Sequence, residues 1–384
     1  MSAVFQEFIE YVKIGNLQKV IEIVETNQVD ASAQDNKAII YAAEHGHLEV
    51  AQYLSTLPNV DASAQNNQAI IYAAEHGYLK VVKYLSKLPG VNAFAENNDA
   101  IIWASHNGHL EVVKYLSKLP NVDASAQNNQ AIIWAAYNGH LEVVKYLSTL
   151  PKVDASAQYN DPIIWAARYG HLEVVKYLST LPEVDASAQN NKAIILAAEY
   201  GQLAVVKYLL TLPNVDASAG NNQAIISAAR NGHLAVVEYL FKLPKVDASA
   251  QYNQAIINAA EYGHLEVVEY LSKLPNVDAS AQNNKAIIWA AGCGHLAVVA
   301  MLLYFELKVT SSLSDTSYKY YHQELLSHLR PIAHKIAVSL TEFPTPLIIE
   351  VIEQSLDFAI YIPYHIKWNM VVAIKHNKYI HTKN

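Results

Sequence analysis

The stretch AIIWAAYNGHLEVVKYLSTLPKVDASAQ (residues 131–158) decides the fold, because it returns along the chain with only a few letters changed. Its glycine belongs to a series that recurs every 31 residues without slippage. The series comprises Gly46, Gly77, Gly108, Gly139, Gly170, Gly201, Gly232, Gly263 and Gly294, and Gly15 extends it towards the N-terminus. A fixed period of this length predicts a solenoid, in which each repeat stacks only on its neighbours.

Each repeat is predicted to form two short helices and a connector. The first helix, AIIWAAYN, has paired alanines where another helix must come close, and Gly139 supplies the positive φ that ends it. The second, HLEVVKYLSTL, has Leu, Val and Tyr on one side and Glu, Lys and Ser on the other, and Pro151 stops it. An asparagine stands ten residues before the glycine in all nine repeats, as Asn129 does, and we predict that it caps the first helix.

NGHLEVVKYL after a helix of small residues resembles the ankyrin repeat, over roughly residues 1–306. The resemblance implies an all-α fold, an ankyrin-type helix-turn-helix solenoid with a C-terminal helical segment. The connector Leu-Pro-x-Val-Asp is shorter than the family's, since the family period is about 33 residues. We predict an N-terminal capping repeat in residues 1–31, nine ankyrin-like repeats in 32–309, and a helical cap or small module in 310–384.

Composition and charge argue against several other classes of protein. Charged residues make up 16% of the chain and the net charge is -8, so we predict no nucleic-acid partner. Cys293 is the only cysteine, which rules out an intramolecular disulfide and indicates a reducing, intracellular setting. The N-terminus has no long apolar run, and we therefore expect no signal peptide and no membrane span. We expect a monomer in the cytoplasm, either of the cell that makes it or of a host cell.

The repeats differ chiefly at the C-terminal end of the first helix. Five residues before each glycine the series runs Tyr41, Tyr72, Trp103, Trp134, Trp165, Leu196, Ser227, Asn258 and Trp289. In ankyrin proteins the first helices line the concave face, so the resemblance implies that these positions contact a protein partner. Trp, Tyr and Arg most often dominate binding energy at interfaces. The predicted partner-binding residues are Tyr41, Tyr72, Trp103, His106, Trp134, Tyr137, Trp165, Arg168 and Tyr169.

A structural role for the same rings is the alternative. Large aromatic side chains in adjacent repeats would stack on one another and seal the groove, and a half-buried position also prefers Trp or Tyr. The change to Leu196, Ser227 and Asn258 favours binding, because a purely structural position should not tolerate Trp and Ser alike.

Catalytic motifs are absent from the sequence: it has no His-Glu-x-x-His, no Gly-x-Ser-x-Gly and no phosphate-binding glycine loop. Seven histidines directly follow a repeat glycine, as His109, His140 and His171 do. Because they recur once per repeat, they lie about one helix spacing of 8–10 Å apart, too far to share an ion. We therefore predict a structural role for them, and a non-enzyme without a cofactor or a metal.

After the ninth repeat the period stops, and residues 310–384 remain to be explained. A helical cap is the simplest prediction, since the last repeat needs its core covered. FPTPLIIEVI (343–352) weakly resembles the opening helix of an F-box, and that resemblance implies a substrate adaptor that recruits ubiquitin-ligase machinery. A third reading places an enzyme in this segment, which is small for one. The near-identical repeats are similar in style to ankyrin arrays of intracellular bacteria and giant viruses of amoebae, which implies an effector acting on host proteins.

Overall fold

A computed structural model describes residues 3–27, 29–295, 297–299 and 301–302, which form nineteen α-helices. The helices alternate between a first and a second helix of each repeat. The first helices span Ala3–Lys13, Ala33–Glu44, Ala64–Glu75, Ala95–His106, Ala126–Tyr137, Ala157–Arg168, Ala188–Glu199, Ala219–Arg230, Ala250–Glu261 and Ala281–Gly292. The second helices span Leu17–Asn27, Leu48–Ser55, Leu79–Leu85, Leu110–Leu116, Leu141–Ser148, Leu172–Leu178, Leu203–Leu209, Leu234–Phe241 and Leu265–Leu271. The predicted all-α helix-turn-helix solenoid is confirmed.

The chain divides into two compact units, Met1–Ala193 and Ile194–Asn384. In the first unit, each first helix packs beside the first helix of the next repeat, from Ala33–Glu44 to Ala157–Arg168, and the second helices form a parallel row. In the second unit, Ala219–Arg230 packs beside Ala250–Glu261, which packs beside Ala281–Gly292. In its described residues, each unit is therefore a stack of helix pairs in chain order.

The core of each repeat lies between its two helices. In the fourth repeat, Ile132 and Ala135 of the first helix are fully buried, and so are Val144 and Leu147 of the second. Alanine allows neighbouring first helices to approach closely, while the branched side chains fill the space between the helix layers. The alternation of small and large apolar residues in AIIWAAYN thus produces two close-packed layers.

Each first helix from Ala33–Glu44 onward begins with one turn of left-handed backbone. In the fourth repeat, Gln127, Asn128 and Asn129 have φ angles of 51°, 56° and 66°. L-residues seldom adopt this conformation, and asparagine is among those that tolerate it best. The regular right-handed helix begins only after Asn129.

The prediction that this asparagine caps the first helix is wrong. The Oδ1 atom of Asn129 accepts a hydrogen bond from the backbone N–H of Asp154, 25 residues further along, at 2.8 Å. Asn36 accepts one from Asp61 in the same way, at 2.7 Å. Asparagine is needed here because it combines tolerance of positive φ with an acceptor that reaches the next connector.

Each connector also has its own local hydrogen bonds. Asp154 Oδ1 accepts from the backbone N–H of Ser156 at 2.8 Å and from its hydroxyl at 2.7 Å. The glutamine that starts the left-handed turn bonds to the preceding repeat, as Gln65 Nε2 does to the carbonyl oxygen of Asp35 at 3.0 Å. These bonds satisfy the polar backbone of a connector too short for a long hairpin.

Glycine and histidine pack together at the opposite end of the first helix. Gly139 has a φ of 79°, and a Cβ atom there would lie 2.5 Å from Nδ1 of His171 in the next repeat. His171 Nε2 donates to the carbonyl oxygen of Tyr137 at 2.9 Å. The imidazole therefore satisfies a carbonyl that the end of the helix leaves unpaired, which is a structural role.

We predict that Asn129→Ala lowers the free energy of unfolding by about 2 kcal/mol. About 1 kcal/mol comes from the lost hydrogen bond and about 1 kcal/mol from the positive φ. Asn129→Gly keeps the backbone preference and should lose about 1 kcal/mol. Urea unfolding followed by circular dichroism measures both variants, and an alanine variant as stable as the wild type would contradict this account.

As the pH falls, the free energy of unfolding should decrease before the carboxylates become protonated. Burial lowers the pKa of His109, His140 and His264, although for each a hydrogen bond to a backbone carbonyl opposes this shift. The unfolded chain binds protons more readily than the folded chain, so the stability is complete above the ordinary value of 6.5 and decreases as the pH falls below it.

We therefore expect a lower urea midpoint at pH 5.5 than at pH 7.5. The double variant His109→Gln, His140→Gln should show a shallower pH dependence, since Gln202 occupies the same position in the sixth repeat. An equally steep dependence in that variant would assign the effect to other groups.

Candidate partner-binding surface

The varying positions lie together at the C-terminal ends of the first helices. Trp134 and Tyr137 are three residues apart on Ala126–Tyr137, a spacing that places both side chains on one face of the helix. The same holds for Trp103 and His106 on Ala95–His106. Because these helices are neighbours in the first unit, the faces adjoin.

Ring contacts join three consecutive repeats. The ring centroids of Trp103 and His106 are 5.3 Å apart, and His106 lies 5.3 Å from Trp134 in the next repeat. Trp134 lies 5.1 Å from Tyr137, which lies 5.8 Å from Trp165. Most of these contacts are edge-to-face, the geometry that aromatic rings favour. In the third and fourth repeats, the residue two before the glycine thus bridges successive tryptophans.

A cation and a further ring complete this surface at the fifth repeat. The guanidinium carbon of Arg168 lies 5.1 Å from the ring centroid of Trp165 and 5.3 Å from that of Tyr169. Tyr169 stacks on Trp165 at 6.4 Å and 21°, and its centroid is 4.4 Å from that of Tyr137. We call the connected set the aromatic strip; it consists of Trp103, His106, Trp134, Tyr137, Trp165, Arg168 and Tyr169.

Hydrogen bonds from the following repeat hold the backbone beneath the strip. His140 Nε2 donates to the carbonyl oxygen of His106 at 2.9 Å, just as His171 does to Tyr137. Asn138 Nδ2 donates to the carbonyl oxygens of both His106 and Trp134 at 3.1 Å. The strip therefore lies on fixed helix ends, and a partner need not order it on binding.

The rings pack on each other and still present surface to solvent. Trp103 is 39% exposed, while Trp134 and Trp165 are half-buried. Within the described part of the chain, the indole N–H groups of these three tryptophans have no protein acceptor. Edge-to-face packing thus explains part of the preference for Trp, but it leaves three donors and several ring faces available.

Tyr41 and Tyr72 do not join the strip. Tyr41 packs against Lys13 and Lys37, whose Nζ atoms lie 5.0 and 5.5 Å from its ring centroid, and against His45 at 6.3 Å. Tyr72 makes no ring contact with another described residue. The five aromatic residues that occupy this position in the first five repeats are therefore not one continuous set, and the connected part covers the third to fifth repeats.

The same repeat position is polar in the seventh and eighth repeats, which carry Ser227 and Asn258. Ser227 is 6% exposed and its hydroxyl accepts from Gln223 Nε2 at 3.0 Å, while Asn258 Oδ1 accepts from Gln254 Nε2 at 2.6 Å. A residue four positions earlier on the same helix thus satisfies each polar side chain. Aromatic and polar residues both fit this position, each with its own local partners.

One pair in the second unit was not among the predicted site residues. Arg230 Nη2 donates to the hydroxyl of Tyr262 at 2.8 Å, and the guanidinium lies 5.0 Å from the tyrosine ring centroid. Arg230 stands two residues before the glycine of the seventh repeat, and Tyr262 stands one residue before the glycine of the eighth. Arg168 and Tyr169 hold the same two positions within the fifth repeat. Their positions in the repeat series are the signal that the sequence carries for this pair, but no tryptophan stands five residues before the glycine in either repeat.

The side chains of the strip offer ring faces, N–H donors and one cation, which suit non-covalent binding. No three His, Cys, Asp or Glu side chains come together as a metal site in the residues with described coordinates. None of the helices in those same residues is both long and apolar enough to span a bilayer.

Comparison with known families agrees with this architecture. The family described as ankyrin repeats (3 copies) matches residues 8–97, 87–161, 163–251 and 225–312. The chain belongs to the ankyrin-repeat family, whose arrays generally serve as non-catalytic protein-interaction scaffolds. No curated protein matches the chain. The predictions for residues 310–384, namely the helical cap, the F-box-like helix and the enzyme, lie outside the described residues.

Tyr137 contacts Trp134, Trp165 and Tyr169, and such ring pairs each contribute about 0.5–1.5 kcal/mol. We therefore predict that Tyr137→Ala lowers the free energy of unfolding by about 1.5–4.5 kcal/mol. Acrylamide should also quench the tryptophan fluorescence of the variant more strongly. Tyr137→Phe keeps the ring and serves as the control; a loss of stability as large in the phenylalanine variant would show that the ring contacts are not the cause.

Proposed function

We propose that this chain is a non-catalytic scaffold that binds a segment of a protein partner on the aromatic strip. The observation that carries the proposal is the connected set from Trp103 to Tyr169, in which rings and Arg168 lie on ordered helix ends and remain partly exposed. Residues of these types dominate the binding energy at most protein interfaces when they lie in a packed, central cluster. Ankyrin repeats support a protein-interaction scaffold in general.

The chemistry of the strip favours an extended partner segment. Its three indole N–H groups need carbonyl acceptors, and an extended or polyproline chain has free carbonyls, whereas an α-helix uses its own internally. Neighbouring first helices lie about 8–10 Å apart, and one turn of polyproline helix, three residues at about 3.1 Å each, covers about 9 Å. A proline-containing segment would therefore place one residue over each tryptophan.

The remaining parts of the proposal concern the whole chain. We propose a capping repeat in residues 1–31, nine repeats in 32–309 and a cap in 310–384. We also propose that the chain acts as a monomer in the cytoplasm, its own cell's or that of a host. In the adaptor alternative, residues 310–384 would add a second site that recruits other machinery, and the strip would select the target.

A quantitative pull-down from a eukaryotic lysate tests the proposal. The variant Trp103→Ala, Trp134→Ala, Trp165→Ala should lose the bound proteins, since a central Trp commonly contributes about 2 kcal/mol, or about 30-fold in affinity. Trp289→Ala is the matched control, because Trp289 shares the repeat position and lies outside the strip. Circular dichroism and urea unfolding establish that each variant is folded. Capture of the same proteins by all three chains would show that the strip is only structural.

A further inference from the structure

The charge pattern of the second helices differs from repeat to repeat. In the third, fourth and fifth repeats a glutamate three residues after the glycine pairs with a lysine three residues later. The pairs are Glu111–Lys114, Glu142–Lys145 and Glu173–Lys176, with nitrogen–oxygen distances of 2.8, 2.8 and 2.7 Å. In the second repeat the glutamate is replaced by Lys80.

The replacement leaves the second repeat with unbalanced positive charge. Helix Leu79–Leu85 carries Lys80 and Lys83 three residues apart and has no acidic residue, and Lys87 follows it. All three lysines are exposed. Like charges at this spacing destabilise a helix slightly, so helix stability does not explain Lys80.

The neighbouring repeat enlarges the same charged surface. Helix Leu110–Leu116 packs beside Leu79–Leu85 and brings Lys114 and, just beyond its end, Lys118. Its one acid is Glu111, whose pKa is lowered first by the hydrogen bond and charge of Lys114, and further by Lys118 and Lys83. Lysines of both repeats therefore act on the same carboxylate, that of Glu111. We call Lys80, Lys83, Lys87, Lys114 and Lys118 the basic patch.

The patch ends on both sides within the first unit. Helix Leu48–Ser55 of the first repeat carries Glu49 and no lysine. The second helix before it, Leu17–Asn27, carries Glu25 beside a paired Lys19 and Glu22. On the other side, Glu142 and Lys145 neutralise each other. The patch is thus two repeats wide, with negative charge along one edge.

We propose that the basic patch binds a short acidic segment of a protein partner. Five lysines against one glutamate, on a chain whose net charge is -8, concentrate positive potential at a single surface. The negative edge at Glu49 and Glu25 favours a short segment over an anionic bilayer, because a wide bilayer would also meet those carboxylates. This second surface lies on the second helices, whereas the aromatic strip lies on the first helices.

Fluorescence anisotropy of a labelled peptide tests the inference. The probe is a fluorescein-labelled peptide of eight glutamates flanked by Gly-Ser, titrated with the full chain at about 50 mM and about 250 mM salt, because screening weakens exposed charge pairs. We expect saturable binding at low salt and affinity at least tenfold weaker at high salt.

Two charge-matched double variants locate the binding. Lys80→Glu, Lys87→Glu reverses two charges inside the patch and should weaken binding at least tenfold. Lys145→Glu, Lys176→Glu changes the net charge equally, on second helices outside the patch, and should stay within twofold of the wild type. Lys80→Glu also recreates the glutamate–lysine spacing of the third to fifth repeats, so the urea midpoint of its variant should be no lower than that of the wild type.

Several outcomes would overturn the inference. Equal weakening in the two double variants would show that only net charge matters, and no binding to the wild type at low salt would remove the patch as a site. Release of phosphatidylserine vesicles, but not of the peptide, by the patch variant would assign the surface to membranes. The triple tryptophan variant should bind the peptide as the wild type does, so this test is independent of the aromatic strip.

Discussion

The structure depends on hydrogen bonds that histidines after the repeat glycines, such as His140 and His171, make to the end of the preceding first helix. His140 and His171 supply donors to the carbonyls of His106 and Tyr137, which the helix cannot satisfy itself. The ring needs the space that a glycine leaves, so the glycine and the histidine of neighbouring repeats are required together. Asn129 makes the matching bond at the other end of the helix. With both ends held, the position five residues before the glycine can vary while the two isoleucines before it and the alanine after it stay the same.

That freedom explains why the repeats differ where they do. Because its backbone is held from the next repeat, the position five residues before the glycine accepts Trp134 in one repeat and Ser227 in another, each with local partners. The second helices show the same behaviour, since Lys80 replaces a glutamate without a change in the packed apolar side. An array of near-identical repeats can thus present different surfaces on its two helix layers.

The fold was predictable because the 31-residue period, the alanine pairs and the terminal glycine each limit the backbone in a known way. The role of Asn129 was not predictable, because its side-chain oxygen accepts a hydrogen bond from a residue 25 positions away. The rules for a single helix suggest a cap instead. For the strip, spacing placed Trp134 and Tyr137 on one face, but the bridging of neighbouring tryptophans by His106 and Tyr137 depends on side-chain geometry. Tyr41 shares the repeat position yet packs against lysines instead.

Oxidative footprinting of the tryptophans, read by mass spectrometry, tests the central claim most directly. The chain would be labelled alone and with the partner captured in the pull-down. The account predicts protection of Trp103, Trp134 and Trp165 in the complex, with Trp289 unchanged. Equal labelling of the first three tryptophans with and without the partner would contradict the assignment of the aromatic strip as the binding surface.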